Sequence, residues 1–185
     1  MKIRYFAHHG RGRRFSLGTF LFCAVLLPAF ATSAGAPPLV KLAVFDFELE
    51  DFSAGAQLPV GGSAEADQLK LATNEARQLI AQSGHYSLVD VSGADAEAVK
   101  AHGLRKCNGC DAAIARKLGA DQSLIGVITR ISRTEYTVGF QIRDTRDGAV
   151  IITKQTDLRM GADYSWSRGA AWLIKNRLLN SQDQP

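Results

Sequence analysis

The sequence predicts a two-layer α/β sandwich, of the α+β kind, in which helices cover one face of a mixed sheet of about five strands. Three observations predict it. Val40–Phe47 is a nearly unbroken run of β-forming apolar residues, the pattern of a strand buried on both faces. Tyr136, Val138, Phe140 and Ile142 alternate with Thr137, Gly139, Gln141 and Arg143, so this strand packs one face and wets the other, as in an antiparallel sheet. Apolar residues recur at helical spacing around 69–80 and again around 166–178. A strand–helix–strand order followed by a run of strands calls for helices layered on a sheet.

Each element has its own signal. Residues 1–14 are basic, Phe15–Phe30 is mostly apolar, and Ala29-Phe30-Ala31 and Thr32-Ser33-Ala34 supply small residues at signal-peptidase spacing. This order describes a cleavable secretory signal peptide over residues 1–34. The apolar run is shorter than the ~20 residues that a membrane-spanning helix needs. Nothing after residue 40 is apolar for long enough to span a bilayer, so the mature chain is expected to be soluble and periplasmic. Residues 35–39 form a Gly/Ala/Pro linker, and a single domain occupies 40–180, with a disordered tail at 181–185. Within it, Asp51–Gly62 carries four glycine or proline residues and reads as a loop. Ser63 is the expected N-cap of a helix whose face is Leu69, Ala72, Ala76, Leu79 and Ile80, ended by Gly84. Tyr86–Val91 reads as a strand, and Asp95–Ala101 and Asp111–Leu118 as short helices closed by Gly103 and Gly119. Gln122–Ile131, Glu135–Arg143 and Val150–Leu158 form a three-strand antiparallel meander. Asp147-Gly148 supplies the second hairpin turn. Trp166, Ala170, Leu173, Ile174 and Leu178 define the buried face of a C-terminal helix, capped by Asp163 or Ser165.

These elements resemble a known group. Leu42–Leu49, Tyr86–Val91, Ala115–Arg130 and Val138–Ile151, with Arg143-Asp144 and Asp147-Gly148, occur in the order seen in secreted α/β domains of the TolB N-terminal and CsgG-like type. More closely, they resemble the uncharacterised exported proteobacterial family known as domain of unknown function 3280, and its relative 2380. The resemblance spans about residues 40–180. It implies an envelope module that binds another protein and brings no catalytic residues with it.

Charge and motif content narrow the chemistry. The chain has 185 residues and a net charge of +4, but residues 1–34 hold five basic residues and no acid. Beyond them 17 Lys and Arg face 18 Asp and Glu, which leaves no clustered positive excess for a nucleic acid. The chain holds no Gly-x-Ser-x-Gly, His-Glu-x-x-His or phosphate-cradling Gly-Lys-Ser/Thr motif. No catalytic residue and no cofactor is therefore expected.

Cys107-Asn108-Gly109-Cys110 is the sharpest local feature, and these are the only cysteines beyond the leader. In an oxidising compartment three readings stand open. One is a disulfide stiffening the start of the following helix. Another is a redox couple whose thiolate is favoured by Arg105, Lys106 and the helix N-terminus. The third is a metal site shared with His102 and with Asp111 or His85. Asp46, Glu48 and Glu50 alternate, so one strand would place three carboxylates on one face, either as a hard-cation site or as a solvated strand end. His85 and His102 read as surface histidines. Trp172 lies six residues beyond Trp166 and so points about 120° away from it on an α-helix. It shares a stripe with Arg168, Lys175 and Leu179, either as an interface anchor or as part of a wide apolar face.

Overall fold

Ten elements follow one another in the computed structural model, which describes residues 38–53, 62–94, 99, 103–132, 134–159 and 165–181. They are β1 (Val40–Val44), β2 (Glu48–Asp51), α1 (Ser63–Gln82), β3 (Tyr86–Val89), α2 (Cys110–Lys117), β4 (Gln122–Arg130), β5 (Glu135–Asp144), β6 (Val150–Arg159), α3 (Ser165–Leu173) and a π-helical continuation, Ile174–Leu179. Residues Pro37–Pro185 make one compact unit. The signal peptide, most of the 95–101 helix, His102, Asp163 and the end of the tail fall outside the described residues. Among the described residues no helix is long and apolar enough to cross a membrane.

The sheet is mixed and six-stranded, in the order β3-β1-β4-β5-β6, with β2 also paired to β4. β1 runs parallel to both β3 and β4, while β4, β5 and β6 form the antiparallel meander. The hairpin turn between β5 and β6 takes the expected form. Gly148 adopts φ +72°, a left-handed conformation that costs glycine little, and the Asp147 carboxylate accepts the Ala149 N–H at 2.9 Å.

The principal core lies on one face of the sheet. Leu42, Val44, Leu124, Ile128, Val138, Phe140 and Ile142 meet Ala72, Ala76 and Ile80 of α1 and Trp166, Ala170 and Leu173 of α3. This is the helical layer that the periodicity predicts. A smaller cluster on the opposite face joins Ala43, Phe45 and Ile125 to Leu104 and to Ile114 and Ala115 of α2. α2 therefore covers the far side of β1 and β4, and the rest of that face, over β5 and β6, has no helix on it among the described residues.

Three local expectations need correction. The Val40–Phe47 run is not one strand: pairing to β4 stops at Val44↔Leu124 and resumes at Glu48↔Val127. Three residues on one side face two on the other, a one-residue bulge that reverses the side-chain faces of β2 relative to β1. The sheet consequently gains a sixth strand. α1 supports the bulge: Thr73 Oγ1 accepts the Phe47 N–H at 2.9 Å, and Arg77 donates to the Val44 carbonyl through Nε and Nη2 at 3.1 and 2.6 Å. The Phe47 ring then lies against Gly126, where a β-carbon would have no room. Second, the N-cap of α1 is Gly62 and not Ser63, which is the first helical residue, and no side chain bonds at that cap. Third, Leu179 is buried instead of sharing the outer stripe of the C-terminal helix. The π-helical last turns, with hydrogen bonds spanning five residues, bring Leu179 beside Ile174 and Leu178 on the core side.

Candidate functional site

The acidic series is divided by the bulge and committed to internal partners. Asp46 Oδ1 pairs with Arg77 at 3.1 Å. The Glu48 carboxylate accepts the backbone N–H groups of Leu104 and Arg105, at 2.5 and 3.4 Å, and so docks the 103–105 segment on β2. Glu50 pairs with Arg105, and Asp51 with Arg130. Among the described residues no three His, Cys, Asp or Glu side chains lie close enough to hold a metal ion. The expectation that Asp46, Glu48 and Glu50 share a strand face fails because Asp46 sits in the bulge.

Cys107 and Cys110 are joined as a disulfide at the head of α2. Between them Asn108 and Gly109 take φ values of +44° and +112°, a left-handed pair that Asn-Gly adopts at low cost. Arg105, expected to favour a Cys107 thiolate, is instead engaged by Glu50. Asp111, one residue beyond the disulfide, is fully buried and accepts the Ser123 Oγ–H at 2.6 Å. Its other oxygen lies 3.6 Å from Arg143 Nε, too far for a hydrogen bond. Asp111 thus ties the first turn of α2 to β4 and β5 and is not a ligand beside the cysteines. His85 occupies the turn before β3 and is half-buried.

A second charged group, not singled out by the sequence reading, forms where β2, α1, β4 and β5 converge. Arg130 donates to Asp51, to Glu65 and, at 2.9 Å, to the Tyr136 hydroxyl, and its guanidinium lies 5.4 Å from the Tyr136 ring centroid. Burial opposes the charge on Arg130, yet hydrogen bonds to Glu65, Tyr136 and Asp51 hold its pKa above the usual value. Burial likewise opposes ionisation of Asp51, but bonds from Ser53 and Arg130 keep its carboxyl below the usual range. Asp51 and Arg130 are 79 residues apart, so no local pattern could have paired them. The cluster is saturated with internal bonds and works as a clamp.

The C-terminal helix is different. Its large apolar residues Trp166, Leu173, Ile174, Leu178 and Leu179 are all buried, whereas Trp172 is 47% exposed. The exposure that its position on the helix allows is therefore realised. Arg168 and Lys175 are also exposed. Sequence reasoning missed Arg177, whose guanidinium carbon stands 5.8 Å from the Trp172 ring centroid. On an α-helix residues five apart point about 140° away from each other. The switch from α3 to the π-helical turns, with spacing close to five residues per hydrogen-bonded ring, brings them together. Asn176 Nδ2 donates to the Trp172 carbonyl at 2.8 Å, supplying a partner where the helical ladder changes step. The indole thus presents one apolar surface and one stacked cation to solvent.

Comparison with known proteins adds the following. The profile of the family DUF3280, described as a protein of unknown function (DUF2380), matches residues 40–178. Among solved structures, the chain is similar to the LpoB C-terminal domain from Salmonella enterica, with a TM-score of 0.46 and 17% identity over 69% of this chain and 87% of that one. It is also similar to lipoprotein GNA1162 from Neisseria meningitidis (TM-score 0.43, 11% identity, 78% of this chain and 99% of that one). TolB from Acinetobacter baumannii aligns with a TM-score of 0.41 and 12% identity over 78% of this chain and 29% of its own. No curated protein matches.

Proposed function

This chain belongs to the DUF3280 family, and we propose that its mature form is a non-catalytic periplasmic accessory module that engages another envelope protein. The observation that carries this reading is Trp172, half-exposed on a helix whose other large apolar residues are all buried. Exposed tryptophans flanked by cations are typical anchors of protein interfaces. Two further features support it. The order of basic, apolar and small residues in 1–34 is that of an export signal. The described carboxylates of β2 are spent on ion pairs and backbone N–H groups that hold the fold together.

The test is affinity purification of the tagged full chain from the periplasmic fraction, followed by N-terminal sequencing. The expected result is a trimmed chain with a stoichiometric envelope protein bound. Cytosolic recovery with residues 1–34 intact would overturn the location. Turnover of a substrate that is abolished by one change at His85, His102 or Cys107 would overturn the non-catalytic role. The disulfide at the head of α2 favours one other reading, a thiol–disulfide redox protein using Cys107 and Cys110. A reduction potential below about −300 mV, typical of structural disulfides, would remove that reading.

A further inference from the structure

Between Ser165 and Ser181 the chain carries Arg168, Lys175 and Arg177 and no acidic residue, while the described chain as a whole is close to neutral. The exposed Lys175 and Arg177 therefore give the outer face of the C-terminal helix a positive character around Trp172. The Arg177 guanidinium carbon lies 5.8 Å from the centroid of the exposed indole, and a guanidinium can meet a carboxylate with two parallel hydrogen bonds. Stacking also fixes the Arg177 side chain in advance, which lowers the ordering cost of such a contact. The π-helical turn is what permits the stack, and such turns recur at functional sites.

Resting on the protein-binding role proposed above, we infer that Trp172, Lys175 and Arg177 form a docking site for an acidic segment of the partner protein, one that sets an Asp or Glu carboxylate against Arg177 and an apolar side chain against the indole. Charge complementarity selects an anionic partner. The single exposed large apolar residue of this helix selects a protein over a lipid surface, because interfacial helices bury a whole face of apolar side chains in the membrane. Salt weakens the contact, as it does for any exposed charge pairing.

The experiment uses the full chain recovered from the periplasm with its bound partner. Zero-length carbodiimide cross-linking, which condenses an amine with a carboxylate, is expected to join Lys175 Nζ to an Asp or Glu of the partner, as mapped by mass spectrometry. Trp172→Ala and Arg177→Gln are each expected to weaken partner retention at least 10-fold, the scale of interface anchors. Arg177→Lys, which keeps charge but loses the planar fork, is expected to fall between. Circular dichroism melting curves check that each variant is folded, and Lys175→Glu, at an exposed position, serves if Trp172→Ala is not. Retention of the partner at unchanged affinity by Trp172→Ala and Lys175→Glu would overturn this inference and leave the protein-binding role standing. Recovery of no partner at all would overturn both. Flotation of the purified chain with phosphatidylglycerol–phosphatidylethanolamine vesicles, abolished by Trp172→Ala, would overturn the acidic-segment assignment in favour of a membrane surface.

Discussion

A methyl group placed at Gly126 would collide with the ring that closes the β1–β2 bulge. The β-carbon of Gly126→Ala would fall well inside 3 Å of the Cε1, Cε2 and Cζ atoms of Phe47, whereas carbon atoms in contact prefer about 3.5–4.0 Å. Phe47 cannot easily yield. It is 3% exposed, and its N–H is held by Thr73 Oγ1 at 2.9 Å on a helix packed into the same core. Overpacking of this kind costs typically 1–3 kcal/mol, and full expulsion of the ring would approach the 3–5 kcal/mol of a Phe→Ala truncation. We therefore expect Gly126→Ala to lose about 2–4 kcal/mol. At roughly 2–4 °C per kcal/mol for a domain of this size, Tm would fall by about 5–15 °C. The assay is urea unfolding followed by far-ultraviolet circular dichroism, with the m value unchanged. The double variant Gly126→Ala/Phe47→Leu should recover at least 1 kcal/mol relative to the sum of the singles, because the smaller side chain gives the methyl room. Gly169→Ala is the contrast. Its β-carbon would meet the methyl ends of Leu158, a half-buried side chain on an edge strand that can turn aside, so the loss should stay under about 1 kcal/mol. Stability of Gly126→Ala within about 0.5 kcal/mol of the parent would refute the account of the bulge.

Four other outcomes are expected. Removing the partner of a buried carboxylate costs about 3–5 kcal/mol in full burial, and Arg130 is 18% exposed at its side chain against 3% for Asp51, so Arg130→Met should cost about 2–3 kcal/mol in urea. Asp51 is held below its ordinary pKa in the fold, so its contribution is present above the unfolded value near pH 4 and is lost as pH falls through the lower folded value. Arg130→Met removes part of that depression, so Asp51 contributes less above about pH 4 and has less to lose on acidification, and the stability gap between parent and Arg130→Met should narrow as pH falls in a series of urea midpoints from pH 6 to 2. Reduction of Cys107–Cys110 opens a ring of separation three and should lower stability by about 2 kcal/mol or less, read as the shift in Tm with dithiothreitol. A loss of 4 kcal/mol would show that the disulfide holds more than its own loop. Acrylamide should quench the fluorescence of Trp172 and spare Trp166, which is fully buried, so Trp172→Phe should remove nearly all the quenchable emission.

The meander shows how much of this molecule is written locally. Expected strands at Gln122–Ile131, Glu135–Arg143 and Val150–Leu158 each match the observed β4, β5 and β6 within one residue at either end. Alternation, β-branched residues and an Asp-Gly turn are all properties of neighbouring residues. The same holds for the buried face of the C-terminal helix and for the glycines that end α1 and α2 with φ of +72° and +82° at Gly84 and Gly119. Trp172 was legible on the same terms, since a helical period alone turns it away from Trp166. Where two distant segments had to agree, local pattern was silent. The extra residue between Val44 and Glu48 shows only against the register of β4. Neither the placement of α2 on the second face nor the meeting of Asp51, Glu65, Arg130 and Tyr136 is encoded in any window of neighbouring residues. The stack of Arg177 on Trp172 needed the helix to widen, which packing Ile174, Leu178 and Leu179 together into one core accomplishes. Sequence by itself determined most of the elements and their polar and apolar sides, because propensity and periodicity act over a few residues. Tertiary structure alone decided the bulge, the charged clamp and the shape of the exposed tryptophan site, because each is settled by long-range closure of the core.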